Sequence, residues 1–203
     1  YFDAIFDDQF SLSLLNLRHN KIPECVENVE AMIRQTKDVD KLMWMTDFVA
    51  SMLRERGLYN ISINLYNNLM RHHEISQRPD IYERLNLLCA LTSYEFEDFD
   101  ECWIYCNKIV ECIENNIQPF YHNPSNLSSI LTIIAGLYRR DNEIDKSLKY
   151  YQIAQSIISD NLNYYNEWEL SRFYNNFAVM CLHSNDYMRA YPKVKYAINI
   201  MND

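Results

Sequence analysis

The fold is decided by residues 141–155, which read DNEIDKSLKYYQIAQ. Asp141 and Asn142 are turn residues that end one helix. Ile144 follows as an apolar residue where the next helix begins, and Ser147, three residues later, is small. Further apolar residues come at the three- and four-residue steps of one helix face. This order is typical of the turn and second helix of a tetratricopeptide-like hairpin. We call the apolar residue that opens each second helix its staple residue.

The same pattern occurs five times along the chain. The staple residues are Ile22, Tyr59, Phe99, Ile144 and Tyr187, and the differences between successive residue numbers are 37, 40, 45 and 43. Three residues after each staple stands a small residue: Cys25, Ser62, Cys102, Ser147 and Ala190. Nine residues before each staple stands another: Ser13, Ala50, Ala90, Ala135 and Ala178. Antiparallel helices approach closely only where side chains are small, so these two columns predict five helix pairs.

Composition excludes most other fold classes. The 203 residues are 48% hydrophobic, which argues against disorder, and include only 2 Gly and 5 Pro. A sheet protein of this length needs many glycine-containing turns, so an all-α fold is expected. We predict one domain over residues 1–203, a right-handed superhelix of about five antiparallel helix pairs (tetratricopeptide-like repeats).

Hydrophobic periodicity and turn residues also predict the helix bounds. The first helix ends at His19-Asn20 and the second begins at Pro23. The others are expected at 38–56, 59–73, 80–97, 99–116, 125–140, 145–159, 166–183 and 187–201. Residues 117–124 form the longest break.

Charge and cysteine usage limit the possible functions. The formal net charge is −9 and the pI is near 5.0, so these residues repel a phosphate backbone and direct nucleic-acid binding is not expected. No uninterrupted apolar run is long enough for a membrane span. Cys102 and Cys106 are four residues apart, but no His or second Cys pair accompanies them, so we interpret the six cysteines as buried thiols and expect no metal. Reduced thiols favour a cytoplasmic location.

The first helices of the pairs are expected to line a concave wall that binds an extended ligand. We assume that the small residue of each first helix points at its partner helix. The wall positions are then the residues six and three before this small residue, and those one, four and five after it. The peptide-binding candidates are Arg84, Leu87, Leu91, Tyr94, Thr132, Gly136, Arg139, Arg172, Asn175, Val179 and Leu182. Apolar patches among cations and amides suit an extended peptide, and Gly136 would let its backbone come close. The alternative for any single polar residue is that it faces water.

Asn175 and Asn176 are adjacent amides within a predicted helix, where Asn is a poor helix former. Their presence is explained if Asn175 clamps the backbone of a ligand. The alternative is that one of the two, Asn176, bonds to a neighbouring helix.

Nothing in the sequence predicts catalysis. There is no glycine-rich phosphate loop, no nucleophile elbow and no convincing Ser/His/Asp set, so we expect neither an enzyme nor a cofactor. His72 and His73 are placed to end a helix, where a cation interacts favourably with the helix dipole.

In its long helix pairs, its low Gly content, its abundant Tyr, Asn and Ile, and its acidic balance, the chain resembles the C-terminal domain of Gram-positive quorum-sensing regulators. These are the Rgg/RopB-type members of the peptide-receptor superfamily that also includes Rap, NprR, PlcR and PrgX. The clearest local likeness is residues 171–178, SRFYNNFA, an Asn-bearing first helix of the kind that lines those receptors' grooves. The resemblance implies a homodimer that binds a short hydrophobic signalling peptide. It also implies an N-terminal helix-turn-helix domain that binds promoter DNA and is absent from this sequence, which begins at Tyr1.

Two other functions remain open from the sequence. One is a tetratricopeptide-like scaffold that binds a protein tail without switching. The other is a Rap-like phosphatase regulatory domain, which would need a catalytic amide on a separate N-terminal helical bundle.

Overall fold

A computed structural model describes the backbone of residues 2–202 and the side chains of residues 8–75 and 77–201. Within this part of the chain there are ten α-helices, two short 3-10 helices and no strand. The α-helices are α1 (Phe2–Arg18), α2 (Ile22–Gln35), α3 (Val39–Glu55), α4 (Tyr59–Met70), α5 (Pro79–Glu95), α6 (Phe99–Glu114), α7 (Pro124–Arg140), α8 (Ile144–Asp160), α9 (Glu167–His183) and α10 (Tyr187–Asn202). The all-α fold of successive helix pairs is confirmed.

The helix bounds agree with the sequence prediction to within a few residues. Each staple residue is the first residue of a second helix, from Ile22 in α2 to Tyr187 in α10. Two segments differ from the prediction. The helix predicted at 59–73 ends at Met70 and is followed by the 3-10 helix His73–Gln77, so His72 and His73 do not end α4. The 3-10 helix Leu162–Tyr164 precedes α9. Both lie in connections that carry no helical periodicity.

Every first helix ends on a residue in the left-handed conformation, placed two residues before the staple. These residues are Asn20, Gly57, Glu97, Asn142 and Asn185, with φ between 56° and 76°. The backbone N–H of the next residue donates to the carbonyl five residues earlier, as in Glu143 to Tyr138 at 2.8 Å and Asp186 to Cys181 at 2.8 Å. This Schellman arrangement satisfies carbonyls that a helix end leaves unpaired, and Gly and Asn adopt it at the least cost. The same turn therefore joins the helices of all five pairs.

The two columns of small residues are buried, as predicted. Ser13, Ala50, Ala90, Ala135 and Ala178 face the interior, as do the residues three positions after each staple. In two pairs the columns are also joined by hydrogen bonds. Ser147 Oγ donates to the Ala135 carbonyl at 2.7 Å, and Cys102 Sγ approaches the Ala90 carbonyl at 3.3 Å. The small side chains thus allow a side chain of the second helix to reach the backbone of the first.

The chain divides into two compact units, unit 1 up to Tyr105 and unit 2 from Cys106 onward. The division falls inside α6 (Phe99–Glu114) and not in a linker. In a repeat array each repeat contacts only its neighbours, so such an array can divide into units without a linker. The division neither supports nor contradicts the predicted single domain over 1–203, and that domain and its superhelical form stay predictions. Each unit is described by itself below.

Candidate functional site

The predicted wall positions are mostly accessible. Arg84, Arg172, Asn175 and Leu182 are exposed; Leu91, Tyr94, Thr132, Arg139 and Val179 are half-buried; Leu87 and Gly136 are buried. The spacing rule therefore selects the accessible side of the first helices at nine of eleven positions. Whether these residues bind a ligand stays a prediction.

Leu87 and Gly136 need correction as ligand-facing residues. Leu87 is only 7% exposed and belongs to the core. Helix α5 buries residues around much of its circumference, including Glu83, Asn86 and Thr92, so the side predicted for a ligand is partly used for packing. Gly136 is likewise buried, so it offers little open surface for a ligand backbone. Periodicity in one helix does not reveal how many neighbours it has.

In unit 1, the wall positions of α3 and α5 are tied to each other by ion pairs. We call this surface the α3/α5 face. Arg84 lies 3.4 Å from Asp47, and Arg54 lies 3.8 Å from Glu95. Asp47 also accepts a hydrogen bond from the hydroxyl of Tyr66 at 2.8 Å, and burial is the main cause of the raised pKa of that tyrosine. The charged groups of this face are therefore largely satisfied within the unit.

Besides these two ion pairs, a cluster of three charged residues links the start of α5 to α3. Arg78 donates two hydrogen bonds to the carboxylate of Asp40, at 2.9 and 3.1 Å, and two to that of Asp80, at 2.9 and 3.0 Å. These hydrogen bonds are the main reason that the pKa values of Asp40 and Asp80 lie below their usual range. Bidentate contacts of this kind fix the direction of both partners.

An aromatic group continues the accessible surface of unit 1 onto α1. The ring of Phe10 lies 5.6 Å from that of Trp44 and 6.1 Å from that of Phe48. Trp44 and Phe48 are exposed, while Phe10 is half-buried. The spacing rule gives Trp44, six residues before Ala50, and Phe10, three residues before Ser13, but it misses Phe48.

In unit 2, α9 carries one continuous accessible stripe. Trp168, Arg172, Asn175, Val179 and Leu182 recur at three- and four-residue steps and so share a side of the helix. The guanidinium carbon of Arg172 lies 4.6 Å from the centroid of the Trp168 ring, a cation–π contact that orients both side chains. Trp168 was not among the predicted site residues, although the stripe could have been extended to it from the sequence.

Asn175 is exposed, and its amide makes no hydrogen bond with any residue that the structure describes. Asn176 is half-buried and likewise has no hydrogen-bond partner in the described part of the chain. The alternative explanation, a bond from Asn176 to a neighbouring helix, therefore finds no support. Two poor helix formers stand inside α9 without an internal partner that would account for them.

Unit 2 also contains the wall positions of α7. We call these positions and the accessible stripe of α9 together the α7/α9 face. Thr132 is half-buried, and its hydroxyl donates to the Ser128 carbonyl at 2.8 Å. Arg139 is half-buried and forms no ion pair with any described residue. No wall position of α7 or α9 is an Asp or Glu, so the α7/α9 face carries unbalanced positive charge on a chain of net charge −9.

A shallow open groove of about 640 Å³ lies in unit 1 between the second helices α2 and α4. Its lining is mostly apolar, and the residues are Ile22, Pro23, Val26, Glu27, Glu30, Leu58, Ile61 and Asn64. The sequence prediction placed function on the first helices and did not foresee this groove. Its two carboxylates give it the opposite charge to the α7/α9 face.

The residues described by the structure hold no group of three His, Cys, Asp or Glu that could bind a metal ion. Five of the six cysteines are buried and Cys112 is half-buried. Burial raises the pKa of Cys25 to about 11 and that of Cys89 to about 12, so both are poor nucleophiles. Among the described helices, none has the length and apolar character needed to cross a membrane.

No protein-family model matches the chain, and no curated protein does. Several solved structures share its fold. BtubC (BKLC) from P. vanneervenii is 14% identical with a TM-score of 0.67, covering 96% of this chain and 79% of that one. A double mutant of MamA RS-1 is 11% identical with a TM-score of 0.59, covering 98% and 95%.

A putative kinesin light chain with nearly identical TPR-like repeats, from Podosopora anserina, is 12% identical with a TM-score of 0.56, covering 96% of this chain and 94% of that one. Identities this low show the fold alone. The chain therefore has the fold of tetratricopeptide-like helical repeat proteins.

Proposed function

We propose that the α7/α9 face binds a short hydrophobic peptide in extended form. The observation that carries the proposal is the exposed Asn175 amide without an internal partner, on the same stripe as Val179 and Leu182. An amide both donates and accepts, so it can pair with a peptide N–H and C=O together. The apolar residues beside it would cover the peptide's side chains.

The dimensions of the stripe fit such a ligand. From Trp168 to Leu182 there are 14 helical steps, or about 21 Å at ~1.5 Å per residue. An extended chain advances about 3.3 Å per residue, so this length matches about six residues of peptide. A peptide of six to eight residues could thus contact the whole stripe.

The charge of the face suggests how the peptide is oriented. Arg139 and Arg172 have no carboxylate partner among the described residues, and Arg172 is held in place by Trp168. A free C-terminal carboxylate is present on every unmodified peptide and pairs well with a guanidinium. We therefore expect the peptide's carboxylate to be bound by one of these arginines.

The finer form of the proposal is that this chain is the sensor domain of a bacterial quorum-sensing transcriptional regulator. In that role, peptide binding shifts the helices between two arrangements, and the change passes to a DNA-binding domain outside this sequence. This form is supported by the resemblance of residues 171–178 and of the repeat pattern to the Rgg/RopB-type regulators.

A second candidate is a scaffold that binds a peptide without switching. The ion pairs of the α3/α5 face favour it, because they hold neighbouring first helices to one another without any ligand. Hydrogen exchange separates the two: a sensor should show altered protection beyond α7 and α9 when peptide binds. A scaffold should show changes in those two helices only.

The proposal is tested by selecting binders from a random octapeptide library and measuring the dissociation constant of the tightest one by fluorescence polarisation. Asn175→Ala should weaken binding about 5- to 30-fold, since two hydrogen bonds of ~0.5–1 kcal/mol each are lost. The matched control is Asn107→Ala, which removes an exposed amide within α6. An amidated form of the same peptide should also bind less tightly. Equal affinities for the two variants, or a library that yields no binder, would refute the proposal.

A further inference from the structure

The groove between α2 and α4 is formed by helices that have described neighbours on both sides. Its lining comes from residues 22–30 of α2 and from residues 58–64 around the start of α4. Helix α1 packs against α2, and α3 and α5 pack against α4. Near the start of the described side chains of α1, Gln9 Nε2 lies 3.4 Å from Gln35 Oε1, at the end of α2 away from the groove. The groove is therefore open because of how α2 and α4 pack, wherever the sequence begins or ends.

Two short apolar ridges form the walls of this groove. Ile22 and Val26 are four residues apart on α2, and Leu58 and Ile61 are three residues apart at the start of α4. Each pair therefore lies on one side of its helix. All four side chains are half-buried, so each keeps apolar surface that a ligand could cover. A third helix can pack its own side chains between two ridges of this kind.

The charge of the groove is negative. Glu27 is exposed and forms no ion pair with any described residue. Glu30 accepts a hydrogen bond from the amide of Asn68 at 3.1 Å and lies 3.6 Å from Arg34. No lysine or arginine is among the described lining residues, and α4 contains no charged residue. Glu27 is thus the carboxylate that remains available to a cation from outside.

The equivalent position in unit 2 shows what Glu27 lacks. Glu27 stands five residues after the staple Ile22, and Lys149 stands five residues after the staple Ile144. Lys149 Nζ lies 2.8 Å from Glu114 Oε1, which belongs to the preceding second helix, α6. In unit 2 this position therefore joins two successive second helices by an ion pair. In unit 1 the charge borders an apolar groove and has no cation opposite it.

The shape and polarity of the lining favour a helical ligand over an extended one. From Ile22 to Glu30 there are eight helical steps, or about 12 Å, which is the length of about two helical turns. Apart from the two carboxylates, the only polar side chain among the described lining residues is that of Asn64. An extended peptide would leave most of its backbone N–H and C=O groups without partners there. A helix satisfies these groups internally and presents only side chains.

We propose that the groove between α2 and α4 binds an amphipathic helix of a partner protein, which carries lysine or arginine beside its apolar face. Apolar side chains of that helix, three or four residues apart, pack between the two ridges. A cation about one turn further along pairs with Glu27 and sets the direction in which the helix lies. This site is separate from the α7/α9 face and takes a ligand of different conformation.

The probe is a helix-forming peptide of about 14 residues, made only of leucine and lysine, with the leucines on one side of the helix. Its ends are acetylated and amidated, so it has no terminal charge. One control peptide has glutamate in place of lysine. A second has the same composition with the leucines distributed around the helix. Fluorescence polarisation should show that the first peptide binds more tightly than either control.

Two variants of the protein locate the binding site. Glu27→Lys should weaken binding of the leucine–lysine peptide about 3- to 10-fold, and its matched control is Glu111→Lys, at an exposed glutamate of α6 in unit 2. Leu58→Ser should weaken binding by a similar factor, with Leu162→Ser as its control at an exposed leucine. Leu58 is the N-cap residue of α4 and makes no side-chain cap bond. Because serine is favoured at this position, the melting temperature of Leu58→Ser should stay near that of wild type.

Asn175→Ala should bind the amidated leucine–lysine peptide like wild type, so the result does not depend on peptide binding at the α7/α9 face. The proposal is wrong if the leucine–lysine peptide does not bind, or if either control peptide binds as tightly. Equal affinities of Glu27→Lys and Glu111→Lys, or of Leu58→Ser and Leu162→Ser, would place the peptide elsewhere and would also overturn it.

Discussion

The α3/α5 face and the α7/α9 face are formed by the same repeat positions, but the side chains at these positions differ in charge. Where unit 1 has the ion pair Asp47–Arg84, the corresponding residues of unit 2 are Thr132 and Arg172. Where unit 1 has Arg54 and Glu95, unit 2 has Arg139 and His183. Unit 1 thus places opposite charges across neighbouring first helices. The wall positions of unit 2 carry no Asp or Glu, and Arg139 and Arg172 have no carboxylate partner among the described residues. The same architecture can therefore have a closed face, whose charged groups pair with each other, or an open face, whose charged groups have no carboxylate partner. The difference lies in a few side chains at equivalent positions.

The largest expected effect concerns the apolar end of the open face. Leu182→Asp should weaken binding of the selected octapeptide about 10- to 100-fold. The half-covered leucine would contribute ~0.7–1.5 kcal/mol when a ligand buries it, and covering a carboxylate in its place costs a further ~1 kcal/mol or more. Leu162→Asp, at a similarly exposed leucine in the 3-10 segment before α9, should leave affinity unchanged, as should Arg84→Ala on the closed face. Equal losses in Leu182→Asp and Arg84→Ala would mean that the two faces do not differ as proposed. Fluorescence polarisation gives all four affinities.

The next largest effect would turn the open face into a closed one. Thr132→Asp recreates in unit 2 the carboxylate that Asp47 supplies in unit 1, and it should pair with Arg172 and compete with a peptide carboxylate. We expect affinity to fall about 3- to 10-fold, the range of a partly exposed charge interaction of ~1 kcal/mol. Thr132→Asn is the matched variant and should bind like wild type. The loss should shrink in 0.5 M salt, and a loss that salt leaves unchanged would contradict an electrostatic cause.

A smaller effect is expected when equivalent serines of the two units are replaced and the free energy of unfolding is compared. Ser147 Oγ in unit 2 donates to the Ala135 carbonyl, whereas Ser62 Oγ at the same repeat position in unit 1 is buried without a partner among the described atoms. Ser147→Ala should lower the free energy of unfolding by ~1 kcal/mol. Ser62→Ala should leave it unchanged or raise it, because an unpaired buried hydroxyl is removed. Urea denaturation of the two variants measures the difference, and equal costs would show that the two hydroxyls are equally bonded.

The smallest expected effect is the pH dependence of the Arg78 cluster. The pKa values of Asp40 and Asp80 are lowered in the folded chain, so their contribution to stability is present above pH ~4 and is lost as pH falls below it. Arg78→Gln should therefore be less stable than wild type at pH 6, and the two should converge toward pH 3. Carboxyl NMR titration should show both pKa values rising in the variant. Unchanged pKa values would mean that the ion pairs do not persist in solution.

Much of this fold could be predicted because the repeat multiplies weak signals. One serine or alanine means little, but ten small residues in register predicted the helix pairs, and the staples located the start of every second helix. The sequence prediction did not recognise the left-handed turn residues as one repeat position. Asn20, Asn142 and Asn185 share this position, but Glu97 breaks the pattern. For a side chain, a left-handed φ is unfavourable and is tolerated only because the helices on both sides impose it.

The candidate site was less predictable for a physical reason. Spacing shows which residues share a side of one helix, but not how many neighbours press on that side. Leu87 was misplaced because α5 is packed around most of its circumference. Trp168 was missed because the spacing rule stops at Arg172, six residues before Ala178, although the same helical steps extend to Trp168. The contact between the two side chains depends on their conformations, which the sequence does not determine.

The recurring turn has a consequence for how such a chain can change in length. Since all five connections follow one backbone path, a segment excised between two equivalent turn residues can be rejoined without altering the local geometry of either neighbour. Duplication or loss of a whole pair then leaves each remaining contact of the same type as before. The number of pairs is thus open to gene duplication and recombination, while the hairpin itself stays constant.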